Sequence, residues 1–488
     1  MAHIVKLILL VFVLSFTQQI IAQNNFYKIY TGNGYDYGEG IVQSTSDSNY
    51  FITGSSSSFE NAPSQAFILK VDTGGTYIWS KSYGGSASDI GKRIFHIPNE
   101  GNYVAGFSNS FGNGLFDFYF FKTDTSGKLL WEKTFGGSSN ELLHDAIQLP
   151  DTSFILVGQT SSNETEIEDL FIVRISKHGE IKWQKTFGSS GVDIANSVSM
   201  IDTNRLIIGG EYYDSDSSKQ KSFILSMNSQ GDIQWLKTFG KLKTNYYIKD
   251  IFADSTFIRG VGYAQVNSTS DKVYYNMLID TLGDNYVENY IPQSGSNYFS
   301  QIIQYGFYNY NYIAMQPRDN GIIPTYSGGE DLLICRYKND LTWHPKCVNG
   351  SNHGNDHCNQ LLATNDFGAI SVGYNVHGGK GGSNVMLLKI GPYDQFPNTT
   401  GLPIESNLVE LKTVEPTLEA QVYPNPATSE LQIKVGTHDE TPLTICNLNG
   451  SILFKKSFIA ETKIDITSYA QGIYFIEIGN SIQKFVKE

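Results

Sequence analysis

The densest grouping of side chains able to do chemistry is His344, Cys347, His353, His357 and Cys358, five imidazole and thiol groups within 15 residues. Groups of this kind at short spacing are what a zinc ion requires. Their spacing matches no common zinc pattern, and His144 stands at nearly the place of His357 in an earlier copy of a repeat, which points to a structural role. A Cys347–Cys358 disulfide is the other chemistry open to the group, although the 4 cysteines are not spaced as a disulfide framework. Gly378-Gly379-Lys380-Gly381-Gly382 lacks the Ser or Thr after Lys380 that a phosphate loop needs. Asp72, Asp124 and Asp280 recur at turns, with Ser176 and Asn228 in the equivalent places. These three residue types interchange as turn caps but not as calcium charge, so capping is the expected role. No Ser-His-Asp set or paired carboxylates stand out, and no catalytic residue, metal or cofactor is assigned.

The elements that would hold such groups follow from a repeat. Gly75, Gly127, Gly179, Gly231 and Gly283 lie 52 residues apart, and Trp79, Trp131, Trp183 and Trp235 keep the same step. A second series, Gly54, Gly106, Gly158, Gly210 and Gly262, closes apolar runs such as FILVG. Each unit holds four short runs rich in β-branched and aromatic residues, separated by turn signals, and so predicts a four-stranded antiparallel sheet. One such sheet cannot bury both faces, whereas a ring of them can. The apolar strand recurs at Tyr275–Asp280, Leu332–Tyr337 and Val385–Ile390, giving seven copies. Trp343 restores the tryptophan position after a longer sixth unit.

The seventh copy is followed by Gly391-Pro392 instead of a tryptophan strand. Phe26–Tyr30 (FYKIY) matches the WEKTF position and has no sheet of its own. Its pairing with Val385–Ile390 would close the ring and remove two exposed edges. Residues 392–420 lose the periodicity and read as a linker. From Gln421 the runs shorten and alternate, with an Asn449-Gly450 hairpin signal, as in a small β-sandwich. The expected fold is all-β: a seven-bladed β-propeller over residues 23–391 followed by that sandwich over 421–488.

The unit FGGSSNELLHDAIQLPDTSFILVGQTSS…DLFIVRISKHGEIKW resembles the SBBP-type β-propeller repeat over about Phe26 to Ile390. Val422-Tyr423-Pro424-Asn425-Pro426, Leu448-Asn449-Gly450, Gly472-Ile473-Tyr474-Phe475 and Lys484-Phe485-Val486-Lys487 resemble the type A sorting domain of the type IX secretion system of Bacteroidetes. The second resemblance implies export by the type IX machinery as a partner. Its matching residues are Tyr423, Pro424, Asn425, Pro426, Gly472, Tyr474 and Lys484.

A net charge of −13 excludes phosphate-backbone binding as the main activity. Lys6, the apolar Leu7–Phe16 and Ile20-Ile21-Ala22 read as a cleaved signal peptide over residues 1–22, with no membrane span afterwards. The chain is therefore expected outside the cell or on its outer surface, reached through the periplasm. A non-catalytic binding or adhesion module for a glycan or a protein fits best. A secreted hydrolase or lyase with its site at the ring mouth, and a structural subunit of a surface complex, remain open. The binding candidates are Tyr310, Tyr312 and Tyr326, in the units that depart from the strict step, because tyrosines can stack on sugars or pack on proteins.

Overall fold

The computed structural model describes residues 25–59, 63–164, 166–241, 244–266, 272–291, 298–304, 310–316, 332–338, 346–349, 356–366, 368–376, 382–391, 409–410, 420–435, 441–447, 452–478 and 481–488. The described residues hold strands and turns, and no helix among them is long and apolar enough to cross a membrane. The chain divides into two compact units, one ending at Lys412 and the other starting at Thr413.

The first unit is a propeller-like ring of antiparallel sheets. The third sheet shows the plan: an inner strand Glu141–Gln148, then Phe154–Thr160, Asp169–Ile175 and an outer strand Ile181–Phe187, each paired with the next. The other inner strands are Asp36–Gln43, Asp89–Ile97, Ile194–Asp202, Thr244–Ala253, Tyr298–Gln304 and Asp356–Ala363. Each sheet packs on its successor, and the seventh packs on the first. The apolar core lies between sheets. Ile41, Ile52 and Phe67 of the first meet Ile370, Val372 and Val385 of the seventh in one buried cluster.

Phe26–Thr31 pairs antiparallel with Asn384–Ile390, Phe26 opposite Lys389 and Tyr30 opposite Val385. The N-terminal strand is thus the fourth strand of the last sheet, in the place of the outer strand of the other sheets. Part of the stretch read as a linker belongs to the same sheet, because Val409–Glu410 pairs parallel with Tyr30 and Thr31. In the sixth sheet the outer strand is Lys346–Asn349, beyond Trp343, which lies outside the described residues.

The three repeated residue classes each have a contact that requires them. The hairpin glycines Gly75, Gly127, Gly179, Gly231 and Gly283 all have φ between 71° and 85°, the left-handed region that glycine adopts at no steric cost. They also receive the aromatic ring of the preceding sheet. A Cβ on Gly127 would lie 2.9 Å from the Trp79 ring, and one on Gly75 equally close to Phe26, which takes the tryptophan place in the closing strand. The turn acceptors cap their hairpins: Asp72 Oδ1 accepts from the Gly74 and Thr76 amides at 2.9 and 2.7 Å, and Asn228 Oδ1 accepts from Gln230 and Asp232 at 3.0 and 2.8 Å.

The second glycine series faces the inner strand. At Gly54, Gly106, Gly158, Gly210, Gly262 and Gly373 a Cβ would fall far inside contact distance of the carbonyl oxygen of Tyr37, Ile90, Leu142, Ile194, Tyr247 and His357 respectively. The inner strands bulge immediately beyond these contacts, with two residues opposing one. In the sixth sheet Met315 stands opposite Phe299 at the same place.

Buried carboxylates at the start of the inner strands tie the turns down. The Gly32 amide donates to Asp36 at 2.7 Å, that of Gly85 to Asp89 at 2.8 Å and that of Gly137 to Glu141 at 2.7 Å. The strand-end hydroxyls of Ser58, Ser110 and Thr160 donate to the same three carboxylates. The Gly-Gly-Ser turn and the Thr/Ser-Ser strand end are therefore two halves of one hydrogen-bonded staple.

The second unit contains a three-stranded sheet, Ala420–Tyr423, Glu430–Val435 and Glu461–Asp465, and a four-stranded sheet ordered Ile452–Phe458, Thr441–Asn447, Gly472–Ile478, Ser481–Lys487. Their inward residues, among them Leu431, Ile445, Ile476 and Phe485, form one core.

The glycine contact generates a paired prediction. Gly158→Ala, which must push the inner strand aside, should cost about 1 to 3 kcal/mol and lower the melting temperature. Gly74→Ala, whose Cβ would meet nothing nearer than Asp72 Oδ1 at 3.5 Å, should change it little. Equal melting temperatures for the two variants would refute the role given to the bulge glycine.

Candidate functional site: the lined channel of the ring

The bulges place one extra residue of each inner strand at equivalent positions around the ring. These are Glu39, Lys92, His144, Asn196, Lys249, Ser300 and Asn359, and all seven line a cavity of about 440 Å³. Tyr263, Lys272, His357 and Tyr374 complete much of its wall. The side chains come from seven strands that otherwise repeat one pattern, yet at this position they differ in charge and shape.

The lining is internally connected. Lys92 Nζ lies 2.6 Å from Glu39 Oε2, and Lys249 Nζ lies 2.6 Å from Glu211 Oε1, which also accepts from Asn196 Nδ2 at 3.0 Å. His144 Nε2 is 3.0 Å from Gln159 Oε1. Burial pushes the His144 imidazolium down to about 4, the charges of Lys92 and Lys249 add to the effect, and the Gln159 bond opposes it. His144 is therefore neutral near pH 7. Aromatic pairs flank the ring: Tyr247 stacks on Tyr263 at 4.5 Å and His357 on Tyr374 at 4.4 Å. Lys272 Nζ sits 4.4 Å from the Tyr263 ring centre, within cation–π range.

Behind the channel runs a second polar circuit that joins neighbouring sheets. Arg93 Nε donates to Asp145 Oδ1 at 2.6 Å. Asp145 Oδ2 accepts from the Val198 amide at 2.9 Å, Asp250 Oδ2 from the Ile302 amide at 2.8 Å and Gln360 Oε1 from the Ile41 amide at 2.7 Å. Each is the residue after a bulge, and each satisfies the backbone of the next sheet or, for Arg93, meets that sheet's acid. Asp250 also accepts from Ser197 Oγ at 2.7 Å. Burial, reinforced by the charge of Asp145, raises the Asp250 carboxyl to about 7.

The residues singled out in the sequence are scattered by this geometry. His357 and Cys358 lie on the inner strand of the seventh sheet and line the channel. Cys347 lies on the outer strand of the sixth, directly opposite Cys335, which is disulfide-bonded. Cys358 is free and buried, so the Cys347–Cys358 disulfide is not formed. Outer and inner strands of a four-stranded sheet stand about 14 Å apart at ~4.8 Å per strand, which explains why nearness in sequence misleads here. His344 and His353 lie outside the described residues, as does Tyr326. Among the described residues no group of three or more His, Cys, Asp or Glu side chains is arranged to hold a metal. Tyr310 and Tyr312 lie on the second strand of the sixth sheet.

Of the channel residues, sequence reasoning named His357 and Cys358 and noted His144 only as a repeat equivalent, and it missed the other bulge residues. Their signal is positional: each of Glu39, Lys92, His144, Asn196, Lys249 and Asn359 precedes its bulge glycine by 13 to 15 residues.

In the second unit the sorting-type motif is assembled by backbone contacts. Asn425 Nδ2 donates to the Lys484 carbonyl and its Oδ1 accepts from the Val486 amide, both at 3.0 Å. Asn425 therefore joins the first and last motif segments. Tyr474 stacks on Phe485 at 5.3 Å and donates to the Ala470 carbonyl at 2.7 Å. Tyr423 and Lys484 are exposed. A Cβ on Gly472 would meet nothing within 4 Å, so packing does not explain that glycine.

Asp250 gives a pH prediction. Its folded-state carboxyl holds a proton to about pH 7, whereas its ordinary value is 3.8. Between these values the folded state binds the extra proton, so this contribution to stability is present at low pH and lost as pH rises. The melting temperature should fall between pH 5 and pH 8, and Asp250→Asn should flatten the slope. An unaltered slope in the variant would show that the group does not titrate as described.

Residues 421–488 match the family described as the secretion system C-terminal sorting domain. Beta-agarase D of Zobellia galactanivorans is 38% identical over 74 residues, 15% of this chain and 15% of its own length. The chain thus spans a small part of that relative, and the likeness is to the tail. Among solved structures, the Neurospora crassa Pan2 WD40 domain is 10% identical with a TM-score of 0.42, covering 76% of this chain and 98% of that one. PorZ, a surface component of the type IX secretion system of Porphyromonas gingivalis, is 10% identical with a TM-score of 0.28, covering 91% and 69%. Through residues 421–488 the chain carries a secretion system C-terminal sorting domain, which marks it for type IX export to the cell surface or the medium.

Proposed function

We propose that the first unit is a seven-bladed propeller acting as a non-catalytic binding module, and that the second is a β-sandwich read by the type IX machinery. The observation that supports a binding role is the convergence of seven polar residues of five types on one channel whose walls are otherwise repetitive. A binding cleft of this kind sets a few polar groups among aromatic faces. Catalysis by paired acids has less support. Among the described lining residues Glu39 is the one carboxylate, and Lys92 engages it, whereas glycoside cleavage commonly needs two.

The test is an array screen of glycans and proteins with the full chain collected from its native host. Tyr263→Ala should reduce capture of whatever ligand is found at least tenfold, while Tyr310→Ser and Tyr312→Ser serve as the comparison on the sixth sheet. Loss confined to the sixth-sheet variants would move the site there, and absence of any ligand would remove the binding reading. A chain ended at Lys412, which keeps the Val409–Glu410 strand in place, should fold and remain in the periplasm. Its normal appearance in the medium would defeat the export role of the tail.

A further inference from the structure

We propose that the channel receives an uncharged sugar and holds it through a vicinal diol, two neighbouring hydroxyls that meet the bulge residues of the second to fifth sheets. This rests on the reading of the channel as a binding site. The wall spends its own hydrogen-bonding capacity unevenly. Asn196 gives its amide hydrogens to Glu211 Oε1 at 3.0 Å and to the Ile248 carbonyl at 2.8 Å, which leaves Oδ1 as its group for a ligand. His144 Nε2 lies 3.0 Å from Gln159 Oε1. That oxygen is an acceptor, so the proton of the neutral ring sits on Nε2 and Nδ1 is a bare acceptor. Lys92 and Lys249 each engage one carboxylate oxygen, and an ammonium carries three donors, so each keeps N–H groups to offer. In ring order the capacity left for a ligand is donor at Lys92, acceptor at His144, acceptor at Asn196 and donor at Lys249, on four successive inner strands that all line the cavity.

A carboxylate, sulfate or phosphate could take the two ammonium groups, but it would set its oxygens against His144 Nδ1 and Asn196 Oδ1, acceptor facing acceptor with no proton between. An ammonium or guanidinium could take the two acceptors, but it would lie beside two lysines. A hydroxyl both donates and accepts. One hydroxyl can accept from Lys92 and donate to His144, and its neighbour can accept from Lys249 and donate to Asn196. Bonds from charged donors are the stronger ones, and an enclosed acceptor left unmet is costly, so a pair of hydroxyls is what this arc selects. The Lys92–Glu39 and Lys249–Glu211 pairs carry no net charge, which suits an uncharged ligand. Burial keeps His144 unprotonated and therefore keeps Nδ1 an acceptor across the neutral range. Tyr263 and Tyr374 supply aromatic surface in the same wall, as small-molecule sites commonly do.

The test uses the full secreted chain and isothermal calorimetry with neutral oligomers of glucose, galactose, mannose and xylose, beside uronate and amino-sugar oligomers of matched linkage. At least one neutral oligosaccharide should bind about tenfold more tightly than its acidic and its amino counterparts, and added salt should change its affinity little. Removing either hydroxyl of the bound diol from the ligand should weaken binding about tenfold, and so should His144→Phe or Asn196→Leu. Equal or tighter binding of the acidic or the amino sugar overturns the proposal and leaves the binding module intact. Deoxy analogues that all bind like the parent sugar, unchanged affinity in a folded His144→Phe protein, or capture of a protein ligand that is lost in Tyr263→Ala, does the same. If no ligand of any class binds, both readings fall. The charged-sugar and deoxy-sugar comparisons need no variant, so a misfolded His144→Phe protein does not shelter the proposal.

Discussion

The ring depends on one close approach, that of the second-strand glycine to the carbonyl oxygen of the inner strand. At six of the seven ring sheets among the described residues a methyl group at this position would collide with that oxygen. The contact lies where the inner strand takes in its extra residue, so the bulge and the glycine must be kept together. A bulge bends its strand and increases its twist. Repeated around the ring, it turns each inner strand toward the axis, sends one side chain into the channel and directs the following one toward the neighbouring sheet. Channel chemistry and sheet-to-sheet stitching therefore share one local cause.

The polar stitching is compatible with a tightly packed apolar core because its donors are backbone groups that would otherwise be left unpaired. The amides of Val198, Ile302 and Ile41 find side-chain acceptors across the sheet boundary. A buried amide without a partner costs more than a made bond gains, so each acceptor fixes the angular position of its neighbour. Asp145, Ser197 and Asp250 form a continuous run of this kind. Asp250, so placed, keeps its wall intact while its own ionisation is opposed by burial.

Much of the scaffold was legible because steric demands leave fixed residue types. Only glycine serves at φ near +80° against a tryptophan face, and so Gly75 to Gly283 announce the hairpins. FYKIY could be placed as the closing strand because Phe26 and Lys28 fill the space of a tryptophan and its following lysine against Gly75. The channel was hidden for the opposite reason. Facing an open cavity, Glu39, His144 and Ser300 answer to no common packing constraint and share no residue type. The Cys347–Cys358 pairing that the sequence left open fails because these chain neighbours fall on the outer edge of one sheet and the inner edge of the next. Tyr310, Tyr312 and Tyr326 were singled out by departure from the repeat and by the stacking capacity of tyrosine, which together do not say which side chains face a ligand.

The two kinds of position separate the constraints on this chain. Residues that touch another sheet are held to the 52-residue step by the shape of what they touch, and a change at one must be answered at its neighbour. Residues at the bulge follow no common residue type, and they are constrained by partner and charge instead: Asn196 and Asn359 donate to the Ile248 and Gly38 carbonyls of the next sheet, and Lys92 and Lys249 each stand beside a carboxylate. Lys272 lies over the π-face of Tyr263. Ring geometry sets where chemistry can be presented, and the pairing of charges across the channel sets which chemistry is left to present.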